Sequence, residues 1–176
     1  VIEVEAPRGG YGGDSYLVML HEFKAGLNAY FASLGEGAPV KTLEELIRYN
    51  EKDSVEMRFD QVILKKAQES GPLDSQGYLD ALARMQKATR AEGIDKLMDE
   101  NRLDALMAPT GSPAWKTDLV NGDHYIGGSS SLAAISGYPN ISVPLGFVEN
   151  LPVGVSFFGR AWSEPVLLGI AYAYEQ

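Results

Sequence analysis

An α/β fold, with helices around a central sheet, follows from three features of the sequence. Up to about residue 102 the apolar side chains recur at three- and four-residue steps, the period of amphipathic helices. After Leu103 this gives way to short runs of Val, Ile and Phe broken by Pro and Gly, which is how strands read. No repeat, low-complexity tract or linker separates the two patterns. Residues 1–102 (mainly helical) and 103–176 (strand-rich) therefore read as a single layered domain, or as the C-terminal part of a larger one.

Val1 to Glu5 alternates apolar and acidic residues, the period-two pattern of a half-buried strand, ended by Pro7 and the glycines at 9, 10, 12 and 13. Asp14 or Ser15 is placed to cap the following helix. Its Leu17, Leu20, Phe23, Leu27, Tyr30, Phe31 and Leu34 form one buried face, and Gly35 stops it. Thr42 and Glu45 make a capping box for a short helix carrying Leu43, Leu46 and Ile47. A third helix is expected from about Val55 to Glu69, closed by Gly71-Pro72. A fourth starts near Ser75 and reaches about Glu100, with Leu79, Leu82, Met85, Ile94, Leu97 and Met98 as its stripe and a kink or split at Gly93.

In the second part, Leu103 to Ala108 reads as a buried strand ended by Pro109, and Ser129 to Ser136 as a short helix closed by Gly137-Tyr138-Pro139. Asn140 to Phe147 and Val153 to Phe158 read as strands joined by a hairpin-length link, Glu149 to Pro152. Ser163 is the expected cap of a last helix that tolerates Pro165 in its first turn.

Composition narrows the function. The chain has 176 residues, 45% apolar and 22% charged, and a net charge of −9. A chain of this size buries about 70% of its unfolded surface, so a core is expected. The acidic balance argues against a nucleic-acid or anionic-membrane surface, where Lys and Arg must neutralise phosphates. With no Cys, disulfides, thiolate catalysis and zinc–thiolate sites are excluded. No apolar run approaches the roughly 20 residues of a membrane span, and the first residues lack the charged and apolar regions of a signal peptide. A cytoplasmic protein is the expectation. The chain opens on Val1, in the middle of the expected strand, and this reads as a piece of something longer.

The second part, read in order, resembles the closing segment of the amidase signature hydrolases. The matching pieces are Ala108-Pro109-Thr110, a small-residue helix followed by Gly137-Tyr138-Pro139, Ile141-Ser142-Val143-Pro144 with Gly146, Leu151-Pro152-Val153-Gly154-Val155, Gly159-Arg160, and a helix ending Ala173-Tyr174-Glu175. EFKAGLNAYFASL leading into TLEELIRYN is similar to the helical stretch between that family's middle strands. The resemblance implies a central, mixed, twisted sheet flanked by helices, incomplete in this chain. It also implies hydrolysis of a small or medium-sized carboxamide through a serine acyl-enzyme, with no metal or organic cofactor. The family's Ser–Ser–Lys triad lies in an upstream half that this chain lacks. A serine needs a base within hydrogen-bond reach, and a Lys held neutral serves, with backbone N–H groups of a glycine-rich turn stabilising the oxyanion.

Gly127-Gly128-Ser129-Ser130-Ser131 looks like that catalytic loop, but it stands just before LAAISGYPNISVP. In the family this context is the helix lining the acyl pocket. The glycines then allow close backbone approach and the serines serve the helix start. The substrate-facing candidates are Asp123, Gly127, Gly128 and Ser130, and none is assigned a catalytic role. In related amidases that bind a charged substrate, an acidic residue can stand near Gly127. Here Asp123 is the nearest substitute.

Two alternatives stay open. One is a non-catalytic binding module, or a subunit-like part of an amidotransferase that works with partner subunits. The other is a self-contained serine hydrolase using a serine of the Gly127–Ser131 run with His124 and Asp123, although nearness in sequence is weak evidence for a triad. Glu44, Glu45, Asp99 and Glu100 read as solvated helix faces, His21 as a helix-surface or packing residue, and Arg160 as part of a turn with an ion pair. If upstream strands are missing, exposed sheet edges favour self-association.

Overall fold

The computed structural model describes residues 1–6, 10–52 and 60–176. It contains seven α-helices and three strands among those residues: α1 Gly12–Ser33, α2 Leu43–Asn50, α3 Val62–Glu69, α4 Gln76–Thr89, α5 Asp95–Asn101, β1 Leu106–Pro109, α6 Ser130–Ser136, β2 Asn140–Val148, β3 Leu151–Phe158 and α7 Glu164–Tyr174. The chain divides into two compact units, Gly10–Arg84 and the N-terminal residues with Met85–Gln176. The first half of the expected third helix falls partly on residues outside those described.

The Gly10–Arg84 unit is helical. Among the described residues, one buried cluster there is Leu43, Ile47 and Ala67, flanked by Leu20, Leu27, Leu46 and Leu64. The box before α2 forms with a shift. Thr42 Oγ1 accepts from Glu45 N–H at 3.1 Å, but the Glu45 carboxylate takes the N–H of Lys41 at 2.6 Å, one residue earlier than the simple box. Neither Asp14 nor Ser15 caps α1. The helix starts at Gly12, and Asp14 lies inside its first turn, bound to Arg84. The expected α1 face is only partly covered: Phe31 is buried, while Phe23, Tyr30 and Leu34 are exposed, and Val18, outside that face, is buried as well. Gly35 stands just past the helix end at φ +71°, a left-handed conformation that glycine adopts without a Cβ penalty.

α4 ends where the sequence suggests, in a π turn over Arg90–Ile94 before α5. Gly93 sits there at φ −109°, ψ −105°, and a Cβ on it would lie 2.8 Å from the carbonyl oxygen of Ala88. The buried stripe runs through Tyr78, Ala81 and Met85, then Ile94 and Met98; Leu79 is exposed instead. The π turn changes the helix phase, so a single 3.6-residue stripe cannot fit both halves.

The sheet has the order β1-β3-β2 with both pairings antiparallel. The class is α/β as expected, and among the described residues the sheet is antiparallel. Glu149 and Asn150 close the β2–β3 hairpin at φ 47° and 68°, the positive values of a two-residue primed turn. α7 covers one face, giving a core of Val143, Val155, Phe157, Leu167 and Ala171. Ser163 precedes α7 but does not cap it with its side chain; its Oγ donates to Arg160 O at 2.8 Å.

Val1–Val4 is not a strand. These residues line a hollow of about 430 Å³ together with Arg102 to Met107, Phe157 and Ile170, without entering the ladder. Alternation permits a strand, but only hydrogen-bonded pairing makes one. Among the described residues, neither outer edge of the sheet, β1 or β2, is paired.

Candidate functional site

β1 delivers Thr110 to the end of the sheet, where three hydroxyls meet. Thr110 Oγ1 and Ser142 Oγ each lie 2.9 Å from Ser156 Oγ, and Thr110 donates to Ser142 at 3.3 Å. Ser156 is buried. Register explains the pair on β2 and β3, since Ser142 and Ser156 are directly opposite. Thr110 N–H also donates to Gly154 O at 2.8 Å, and Thr110 O accepts Ser129 N–H at 3.2 Å. The end of β1 is thereby tied both to the sheet and to the glycine–serine run.

That run approaches as a backbone bridge between Gly111 and Gly128. The approach depends on glycine: a Cβ on Gly128 would stand 2.9 Å from Thr110 O and 3.1 Å from the Tyr125 hydroxyl. Gly127 has φ +137°, which side-chain-bearing residues rarely adopt. Beside the bridge lies a hollow of about 350 Å³ lined by Pro109, Gly111, Ser112, Gly127, Gly128 and Ser129, among others. The Oγ atoms of Ser112 and Ser129 are buried without a hydrogen-bond partner among the described residues. Ser129 N-caps α6 by position, yet its side chain makes no cap bond.

The four substrate-facing candidates are only partly gathered. Gly127 and Gly128 line the hollow, Ser130 is the exposed first residue of α6, and Asp123 stands apart on the exposed loop between β1 and α6. Asp123 Oδ1 accepts from Trp115 Nε1 at 2.9 Å, and the Trp115 ring lies 6.0 Å from that of Tyr125. One oxygen of the expected amino-group binder is thus already engaged. Sequence reading misses Thr110, Gly111 and Ser112. The small-residue run Thr110-Gly111-Ser112 is visible, but its partner is seventeen residues away in sequence and only the bridge between Gly111 and Gly128 unites them.

His124 turns toward Asp118, Nε2 to Oδ2 3.7 Å, and away from the partnership with Asp123 that a triad would need. Asp118 is a turn residue. Asn121 side-chain and backbone N–H groups and the Val120 N–H all donate to its carboxylate, which holds its pKa down at about 2. His21 stacks on Tyr78, with ring centroids 5.5 Å apart. Arg160 makes the expected ion pair, with Asp99 at 2.7 Å, so Asp99 is more than a solvated face. Among the described residues no group of three His, Asp or Glu side chains is placed to hold a metal ion, and no helix is long and apolar enough to cross a membrane.

The glycine–serine loop thus enters the short helix α6 beside the end of β1 in an α/β core. The Amidase family model matches residues 1–168, and the chain belongs to that family. It is similar to the probable amidase At4g34880 of Arabidopsis thaliana, 37% identical over 178 residues, which cover 98% of this chain and 31% of that protein. It is also similar to the native peptide amidase from Stenotrophomonas maltophilia, with TM-score 0.88 and 39% identity over 98% of this chain and 35% of that one. An amidase family protein from Bacillus anthracis str. Ames follows with TM-score 0.77 and 28% identity, over 100% of this chain and 31% of the other. A shorter likeness, 40% identical over 97 residues, links 49% of this chain to 21% of a glutamyl-tRNA(Gln) amidotransferase subunit of Pseudothermotoga lettingae. The chain spans about a third of the length of the relatives that match nearly all of it.

Proposed function

We propose that this chain is the C-terminal portion of a larger amidase domain that hydrolyses a non-peptide linear carboxamide C–N bond through a serine acyl-enzyme. The likeness to a peptide amidase over 98% of this chain and only 35% of that one carries the reading. In it the nucleophile, the relay serine and the Lys all lie outside these 176 residues. Gly127, Gly128 and Ser130 form a wall of the acyl pocket, and Asp123 stands at its rim. The chain alone is inactive and works, with the rest of the protein, in the cytoplasm on a small amide. Support comes from Ser129, whose Oγ has no hydrogen-bonded base among the described residues, and from His124, which is drawn to Asp118. The outer edges of β1 and β2, unpaired among the described residues, support self-association of the isolated chain.

A serine-directed sulfonyl fluoride tests this reading. The full-length protein is expected to be labelled at a serine upstream of Val1, and the isolated chain not at all. Stoichiometric labelling of the isolated chain at Ser129, Ser130 or Ser131 overturns it. An unlabelled full-length protein favours the binding module, for which the similarity to an amidotransferase subunit over half the chain is the one supporting observation.

A further inference from the structure

The glycine–serine wall leads into α6, a helix of seven residues, too short to hold its own place. Its N-terminal end is tied to Thr110 through the Ser129 N–H. Its C-terminal end is held from the π turn. Arg90 Nε donates to Ser136 O at 2.7 Å, taking one of the carbonyls that a helix end leaves unpaired. The Arg90 guanidinium also lies over the Tyr138 ring, 5.8 Å from its centre. On the other side, the Tyr138 hydroxyl donates to Asp95 Oδ2 at 2.9 Å. Ser136 itself is fully buried, and its Oγ accepts the Tyr138 N–H at 3.2 Å.

Arg90 and Asp95 are five residues apart. On a regular α-helix, at about 100° per residue, they would point about 140° away from each other. Here the Asp95 N–H bonds back to Arg90 O, the five-residue closure of a π turn, and both side chains reach Tyr138. Gly93 makes this possible, because any Cβ there would collide with Ala88 O. The π turn therefore lets one helix grip Tyr138 at both its ring face and its hydroxyl.

We propose that Arg90 is a positioning residue for the acyl pocket. With Asp95 it clamps Tyr138 and the C-terminal end of α6, and so fixes the Gly127–Ser130 wall at the other end. The inference rests on that wall lining the pocket. Two variants of the full-length protein test it: Arg90→Lys, which keeps the charge but not the planar fork, and Tyr138→Phe, which keeps the ring but not the hydroxyl. Lys87→Met, removing an exposed ion pair with Glu92, is the control.

For Arg90→Lys the KM for a carboxamide is expected to rise about tenfold with kcat nearly unchanged, and the preference between a small and a bulky acyl group to flatten. Tyr138→Phe should move in the same direction by less. A ratio between two substrates does not depend on the fraction of protein folded, so simple destabilisation cannot imitate the flattening. An unchanged KM and an unchanged ratio in Arg90→Lys overturn the inference. Hydrogen exchange reads the clamp independently of turnover. Amides of residues 127–136 should exchange about tenfold faster in Arg90→Lys while those of β3 do not change. If the wild type hydrolyses no amide but this exchange pattern appears, the clamp stands and the amidase reading falls. An unchanged pattern removes the clamp.

Discussion

The two units of the chain are held by different means. The sheet unit has a continuous apolar core between β2, β3 and α7 and an antiparallel ladder beneath it. In the helical unit the eight-residue helices α2 and α3 are stitched by polar side chains that reach distant backbone. Lys24 Nζ donates to Gln68 O and Ser70 O at 2.7 and 2.8 Å, Asn28 Oδ1 accepts the Leu43 N–H at 2.8 Å, and Gln61 Nε2 donates to Ile47 O at 3.2 Å. Tyr78 closes the set through Glu22, whose hydrogen bond holds the phenol above its ordinary pKa. The lesson is that short helices gain little from their own propensity, and side-chain hydrogen bonds to the backbone of α2, α3 and the residue after α3 help to hold them.

Truncating each core is the strongest way to break this comparison. Phe157→Ala removes a buried ring that also meets Tyr174 edge-on at 5.5 Å, and should cost about 3–5 kcal/mol in denaturant unfolding. Leu43→Ala, at a fully buried site, should cost about 2–4 kcal/mol. Its hydrogen-exchange effect should be confined to residues 10–84. Equal exchange losses in β3 would show that the two units unfold as one. Next comes Gly93→Ala, whose 2.8 Å clash with Ala88 O should cost about 1–3 kcal/mol by the same measurement. Thr42→Ala, which removes the α2 cap, should cost about 1 kcal/mol.

The smallest expected effect concerns pH. The Asp118 pKa is depressed to about 2, so its contribution to the order of the turn is present above the ordinary carboxylate value, near 4, and is lost as pH falls through about 2. The amide resonances of Val120 and Asn121 should shift in that window and not between about pH 4 and 6. A midpoint at the ordinary carboxylate value would remove the proposed hydrogen bonds.

Much of the fold is legible in the sequence because its signals are local. The break at Gly93, the span of α6, both strands of the hairpin and the Thr42 cap each depend on residues within a few positions of one another. The differences lie at non-local features. Val1 to Glu5 has the alternation of a strand but no ladder, and α1 has apolar residues that nothing in the described chain fully covers. Asp123 reads as free to meet substrate because its partner, Trp115, lies eight residues back across an irregular loop. His124 sits next to Asp123 in sequence, yet it turns to Asp118. The candidate site divides in the same way: the glycine–serine run is visible as a wall, while Thr110, Ser142 and Ser156 are three separate hydroxyls until the sheet register joins them.

The sequence by itself determined the α/β class, the order of most elements and the family, because periodicity, caps, breakers and ordered motifs are properties of neighbouring residues. Tertiary structure alone decided which residues share a site. The bridge between Gly111 and Gly128, the hydroxyl cluster, and the grip of Arg90 and Asp95 on Tyr138 each join residues from separate elements. Such contacts form only when packing fixes register and helix phase, and a single residue of slip, or one turn wound differently at Gly93, would point the same side chains elsewhere.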